Sequence, residues 1–153
     1  MIREITVRAL RTPLEAAGVA LDCKGYVSSF ADNLLPSVLP DDFKAELEGG
    51  RGDEMHGKFR AAHSSSALAV NCFGPFKRHL ADLRLPGLTS VSCMVFEKPC
   101  PTGLRGTPPH LDVFLEGATV LAIESKCTEH LSSKVARFSS TYATLHDYRL
   151  SPW

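Results

Sequence analysis

One apolar stretch, HLDVFLEGATVLAIESK (110–126), carries two carboxylates and an amine: Asp112, Glu124 and Lys126. Alternating apolar and polar residues on both sides of Gly117 predict a β-hairpin. If the loop is Gly117, Ala118 and Thr119, Glu116 pairs with Val120 and Asp112 falls directly opposite Glu124. With a two-residue loop the two acids become diagonal neighbours. Opposed residues share a face with Cβ atoms about 4.5–5.5 Å apart, and Lys126, two residues beyond Glu124, shares that face because strand side chains alternate. Opposed carboxylates repel, and a hard divalent cation held by oxygen atoms, Mg²⁺ or Mn²⁺, is the simplest compensation. The plainer alternative is a solvent-facing acid pair bridged by Lys126, an arrangement worth little to stability.

The elements around the hairpin follow from periodicity. Met55, Phe59, Ala62, Ser66, Ala69, Phe73 and Phe76 recur at spacings of four and three, which predicts one helix from about Asp53, its N-cap, to the break at Gly74-Pro75. A short helical piece, FKRHLADL, runs from there to Pro86-Gly87. TSVSCMVFEK (89–98) is apolar on both faces, as a strand in the middle of a sheet is. KPCPTGLRGTPP (98–109) is a loop by its Pro and Gly content. After the hairpin, Leu131, Val135, Phe138, Tyr142 and Leu145 predict a final helix capped by Thr128.

Residues 1–50 are read as an N-terminal helical or irregular extension, and 51–153 as an α/β core. Within the extension GVALDCKGYV suggests a strand, SSFADNLLPSVL a short helix capped by Ser28 or Ser29, and PDDFKAELEGG another. The order helix, three strands, helix predicts an α/β or α+β fold.

Composition excludes several classes. The chain has 153 residues, enough for one domain with a real core, and 17 acids balance 17 bases. A global basic field is therefore absent, and a polyanion site needs a local patch; Lys77, Arg78, His79 and Arg84 form one candidate cluster, with a solvated helix face as the commoner explanation. Five cysteines without a CxxC pair argue against a zinc cage or a disulfide framework and suit a reducing cytoplasm. No apolar run is long enough for a signal-peptide core or a membrane span. Ser64, Ser65 and Ser66 lie near His63, but no GxSxG turn completes a serine hydrolase.

Asp112, the hairpin and Glu124-Ser125-Lys126 together resemble the active-site pattern of the PD-(D/E)xK nuclease superfamily, the restriction-endonuclease-like fold. KFRAAHSSSALAVN (58–71) also resembles the first helix of an uncharacterised bacterial branch of it. The superfamily core runs helix, three antiparallel strands, helix, final strand, and residues 53–147 follow that order without the last strand. The tripeptide alone is uninformative, since DCK, DFK and ESK all occur here; only ESK ends an apolar strand with an acid on its partner. His110-Leu111 stands where the superfamily's name suggests a proline.

The resemblance implies a metal-dependent phosphodiester hydrolase acting on DNA. Asp112, Glu124 and the Ser125 carbonyl would hold Mg²⁺ or Mn²⁺, Lys126 would orient the attacking water and stabilise transition-state charge, and Glu54 would add an acid from the first helix. Lys77, Arg78 and Arg84 are the expected nucleic-acid contacts. DNA is the expected partner, with a homodimer left open, and the cytoplasm the expected location. The alternatives are a catalytically inactive nuclease-fold module that binds nucleic acid or protein, and a small structural domain without an active site.

Overall fold

The computed structural model describes residues 2–49, 55–88, 90–105 and 108–128. Glu54, the Asp53 cap and the final helix lie outside the described residues. Helix α1 (Ile2–Ala16) opens the chain. It was not anticipated, because its charges obscure the stripe of Val7, Leu10, Arg11 and Leu14 that turns inward. It ends in a Schellman turn: Gly18 adopts φ +80, its N–H donates to Glu15 O, and Val19 N–H donates to Leu14 O.

GVALDCKGYV forms no strand. Its only β interaction among the described residues is an isolated bridge from Tyr26 to Ala61. The Asp22 carboxylate instead accepts from the N–H groups of Lys24 and Tyr26, closing a turn, and those bonds lower its pKa. A 3₁₀ turn, Phe30–Asn33, is capped by Ser29 with Asp32 in a reciprocal capping box. Helix α2 (Lys44–Glu48) follows a second 3₁₀ turn, Pro40–Asp42.

The long helix expected from about Asp53 is broken. Lys58–Arg60 is 3₁₀, the backbone then extends at Ala61, and α3 (Ser65–Phe73) starts only at Ser64, whose side chain accepts from Ala67 N–H. The bridge at Ala61 and this cap compete successfully with continuous helix. A further 3₁₀ turn, Gly74–Phe76, follows α3, and FKRHLADL is helical only over Leu80–Asp82.

Three antiparallel strands complete the described fold: β1 (Cys93–Pro99), β2 (His110–Glu116) and β3 (Val120–Ile123), in the order β1-β2-β3. The α+β expectation holds. Among the described residues β1 lies at the sheet edge rather than in the middle: it pairs with β2 alone, and it buries only Met94 and Phe96. Together with Val113 and Leu115 of β2, these form the core face of the sheet.

That face packs on a stack of rings. Phe43 lies parallel to Phe59 at 6.0 Å and edge-on to Phe96 at 6.4 Å. Phe43 and Leu47 come from residues 1–50, so this stretch and the sheet share one core.

The open edge of β1 is capped by side chains. Glu46 of α2 accepts from Phe96 N–H at 2.9 Å, and Lys77 donates to Met94 O at 2.5 Å and to both Glu46 oxygens at 2.7 and 2.9 Å. An unpaired strand edge invites foreign strands, and here one ion pair satisfies two of the outward backbone groups, Phe96 N–H and Met94 C=O. The Lys77 side chain is only 15% exposed, so its loss leaves Glu46 and the Met94 carbonyl short of partners. Replacing Lys77 with Met is therefore expected to cost about 1–3 kcal/mol in chemical denaturation. Replacing Arg78 with Ala removes a half-exposed guanidinium from an Asp42 carboxylate that is itself only 14% exposed, and is expected to cost about 1 kcal/mol.

Candidate active site

The hairpin has the three-residue loop. Glu116 pairs with Val120, the ladder runs to Val113 opposite Ile123, and Gly117 N–H donates to Thr119 O across the turn. One step further along this register sets Asp112 opposite Glu124, at the point where β3 ends. Val113, Leu115, Leu121 and Ile123 turn toward the core, so the even-numbered residues Asp112, Phe114, Ala122 and Glu124 share the opposite face.

The two acids have different partners. Glu124 forms a direct ion pair with Lys126, both side chains about half exposed. The Asp112 carboxylate accepts from Ser125 N–H at 2.5 Å, which ties the chain beyond β3 back to β2. Ser125 Oγ in turn donates to Ser65 O at 2.9 Å, fastening this corner to the first turn of α3. A backbone amide, an ammonium and two carboxylates thus meet where the sheet ladder stops.

One acid near this corner escaped the sequence reading. The pairs Phe96–Val113 and Lys98–Leu111 bracket Glu97 and Asp112, so Glu97 occupies the register position opposite Asp112 on β1. Glu97 holds φ +50, a left-handed conformation costing a non-glycine residue about 1–2 kcal/mol. Its carboxylate lies 3.6 Å from His110 Nδ1. Carrying the hairpin register onto a third strand would have put Glu97 in this row; its backbone twist has no sequence signal.

The expected nucleic-acid residues do not converge on this corner. Lys77 is engaged at the β1 edge, Arg78 lies against Asp42 at 2.9 Å, and Arg84 donates to the carbonyls of Ala81 and Leu83. Glu54 lies outside the described residues.

Two carboxylates with a neighbouring main-chain carbonyl form an all-oxygen donor set, whose chemistry suits Mg²⁺ or Mn²⁺. Among the described residues, no group of three or more His, Cys, Asp and Glu side chains is disposed to hold a metal ion. Among the described residues, a third ligand beside Asp112 and Glu124 would be a main-chain oxygen such as that of Ser125. Among the described residues no cysteine is in a disulfide, and no helix is long and apolar enough to cross a membrane.

The Ser125 hydroxyl is the side-chain link between this corner and α3. Ser125→Ala is expected to lower stability by about 0.5–1.5 kcal/mol in denaturant titration, with the fold retained. An unchanged midpoint would show that the bond to Ser65 contributes nothing.

No curated protein and no solved structure matches the chain. A family model does, over residues 7–150, and its description is Restriction Endonuclease associating with ARP. The match begins within α1 and takes in the aromatic core, the sheet and the Asp112–Lys126 corner. On that extent of agreement the chain belongs to this restriction endonuclease family.

Proposed function

We propose that this chain is a metal-dependent phosphodiester hydrolase of the PD-(D/E)xK type, acting on DNA. The observation that supports the reading is the hairpin register, which extended one step beyond its last pair, Val113 and Ile123, sets Asp112 opposite Glu124, the partner of Lys126, in a chain whose family is described as a restriction endonuclease. Asp112, Glu124 and the Ser125 carbonyl would hold Mg²⁺ or Mn²⁺, with Glu54 as an additional acid. The ion, when bound, supplies Lewis-acid stabilisation of charge at the scissile phosphate.

The chain's own residues supply the rest. Asp112, tied to Ser125 N–H, holds the end of β3 against β2 and fixes the spacing of the two acids. The Lys126 ammonium directs a water toward the phosphorus and stabilises the extra negative charge of the transition state. Lys126 is a poor general base, because its direct ion pair with Glu124 favours the ammonium. The family's description also names ARP, and we take association with ARP as a proposed partnership of this chain.

Incubation of the full chain with supercoiled plasmid and with linear single- and double-stranded DNA, in Mg²⁺, Mn²⁺ or EDTA, tests the reading. Metal-dependent cleavage is expected, reduced about 100-fold or more by Asp112→Ala and by Lys126→Met. An Asp112→Ala protein that cleaves at the wild-type rate would overturn the assignment.

A further inference from the structure

The chain is neutral overall, yet one surface concentrates cations. Helix α1 is held against the loop that follows it by three contacts. Gly25, at φ +83, lets Val7 approach so closely that a Cβ there would lie 2.5 Å from Val7 Cγ2. Arg11 donates to Leu21 O at 2.9 Å and to Asp22 O at 2.7 Å. Arg3 donates to the Tyr26 hydroxyl at 3.3 Å and lies over its ring.

This docking shapes a concavity of about 710 Å³ lined by Arg3, Arg8, Arg11 and Lys24, with Glu4 the one acid in its wall. Arg8 and Lys24 are exposed, and among the described residues neither side chain forms a hydrogen bond or an ion pair. Arg11 pairs with Glu15 at 3.5 Å and Lys24 helps to hold the Asp22 carboxyl low, yet cations still outnumber acids here, and an anion is the natural relief of their repulsion.

Arg3 also lines a second, smaller hollow of about 140 Å³ with Lys58 and Ser65. Ser65 O is the acceptor of Ser125 Oγ, and Ser125 lies between Glu124 and Lys126. The two hollows share Arg3, so the cations Lys58, Arg3, Arg8, Arg11 and Lys24 form a track from the first turn of α3, to which Ser125 is bonded, to the exposed face of α1. An extended line of cations fits a polymer of phosphates better than a single small anion.

We propose that this track, and above all Arg8 and Lys24, binds the phosphodiester backbone of a nucleic-acid strand that leads away from the scissile bond. The identity of the polyanion rests on the nuclease reading; the existence of the track does not. The site lies apart from Lys77, Arg78 and Arg84, whose side chains have partners within the fold.

The test is fluorescence anisotropy of the full chain with labelled single-stranded DNA, duplex DNA and single-stranded RNA, in EDTA, over a salt series. Arg8→Gln with Lys24→Gln is compared with wild type, with the charge-preserving Arg8→Lys with Lys24→Arg, and with Lys44→Gln on α2. The proposal expects weaker binding by the Gln pair, with the slope of log affinity against log salt falling by about 2 on duplex. The charge-preserving pair and Lys44→Gln should keep the wild-type slope.

An unchanged slope in the Gln pair, no binding by wild type, or an equal loss in Lys44→Gln would overturn the track. Because the metal is chelated, the result is independent of cleavage. Plasmid cleavage with an unaltered slope removes the track and keeps the nuclease; a slope change without cleavage does the reverse. Binding displaced equally well by a non-nucleic polyanion such as heparin and by duplex DNA, with no dependence on Arg8 and Lys24, also counts against it.

Discussion

The ion pair between Glu46 and Lys77 holds the described parts of this molecule together. Glu46 accepts the outward N–H of Phe96 while Lys77 donates to the outward carbonyl of Met94, so the pair takes the place of a fourth strand along β1. The same two residues join α2, the segment after α3 and the sheet, around the stacked rings of Phe43, Phe59 and Phe96. The pair is partly shielded from water, and it also satisfies two backbone groups that would otherwise lack partners beside the core.

With one edge of the sheet closed in this way, the opposite end of the hairpin can carry charge. β3 stops at Ile123, and the polar residues that follow have no ladder to join. Asp112 takes the first free amide beyond the strand, that of Ser125, and Ser125 reaches α3. Glu124 and Lys126 then project at the rim of a sheet whose other face is entirely committed to the core. A site built where a strand ends can accept ligands that a continuous ladder would exclude. It also lies next to the hollow that leads to α1.

The hairpin was legible in the sequence because a period of two leaves little freedom: once Glu116 pairs with Val120, the position of every later residue follows. The α+β class was legible for the same reason. The helix from Asp53 was not, because the periodic stripe of Met55, Phe59 and Ala69 is equally compatible with a 3₁₀ turn, an extended link and a shorter helix. The Ser64 cap decides between them. The role of Lys77 was hidden more deeply. Its partner Glu46 lies 31 residues earlier, and a basic run looks the same whether it faces solvent or a strand edge. Helix α1 was missed because its buried stripe is narrow and interrupted by arginines, one of which, Arg11, is itself turned inward.

The proposed activity depends most on whether Asp112 and Glu124 together take a divalent cation. The direct measurement is titration of the full chain with Mn²⁺, following the electron paramagnetic resonance signal of the free ion, for wild type and for Asp112→Asn, with folding checked by circular dichroism. Saturable loss of the free signal in wild type, reversed by excess Mg²⁺ and missing in folded Asp112→Asn, is the predicted result. A wild-type protein that leaves Mn²⁺ free, or a variant that binds it equally well, would return Asp112, Glu124 and Lys126 to an ordinary sheet surface.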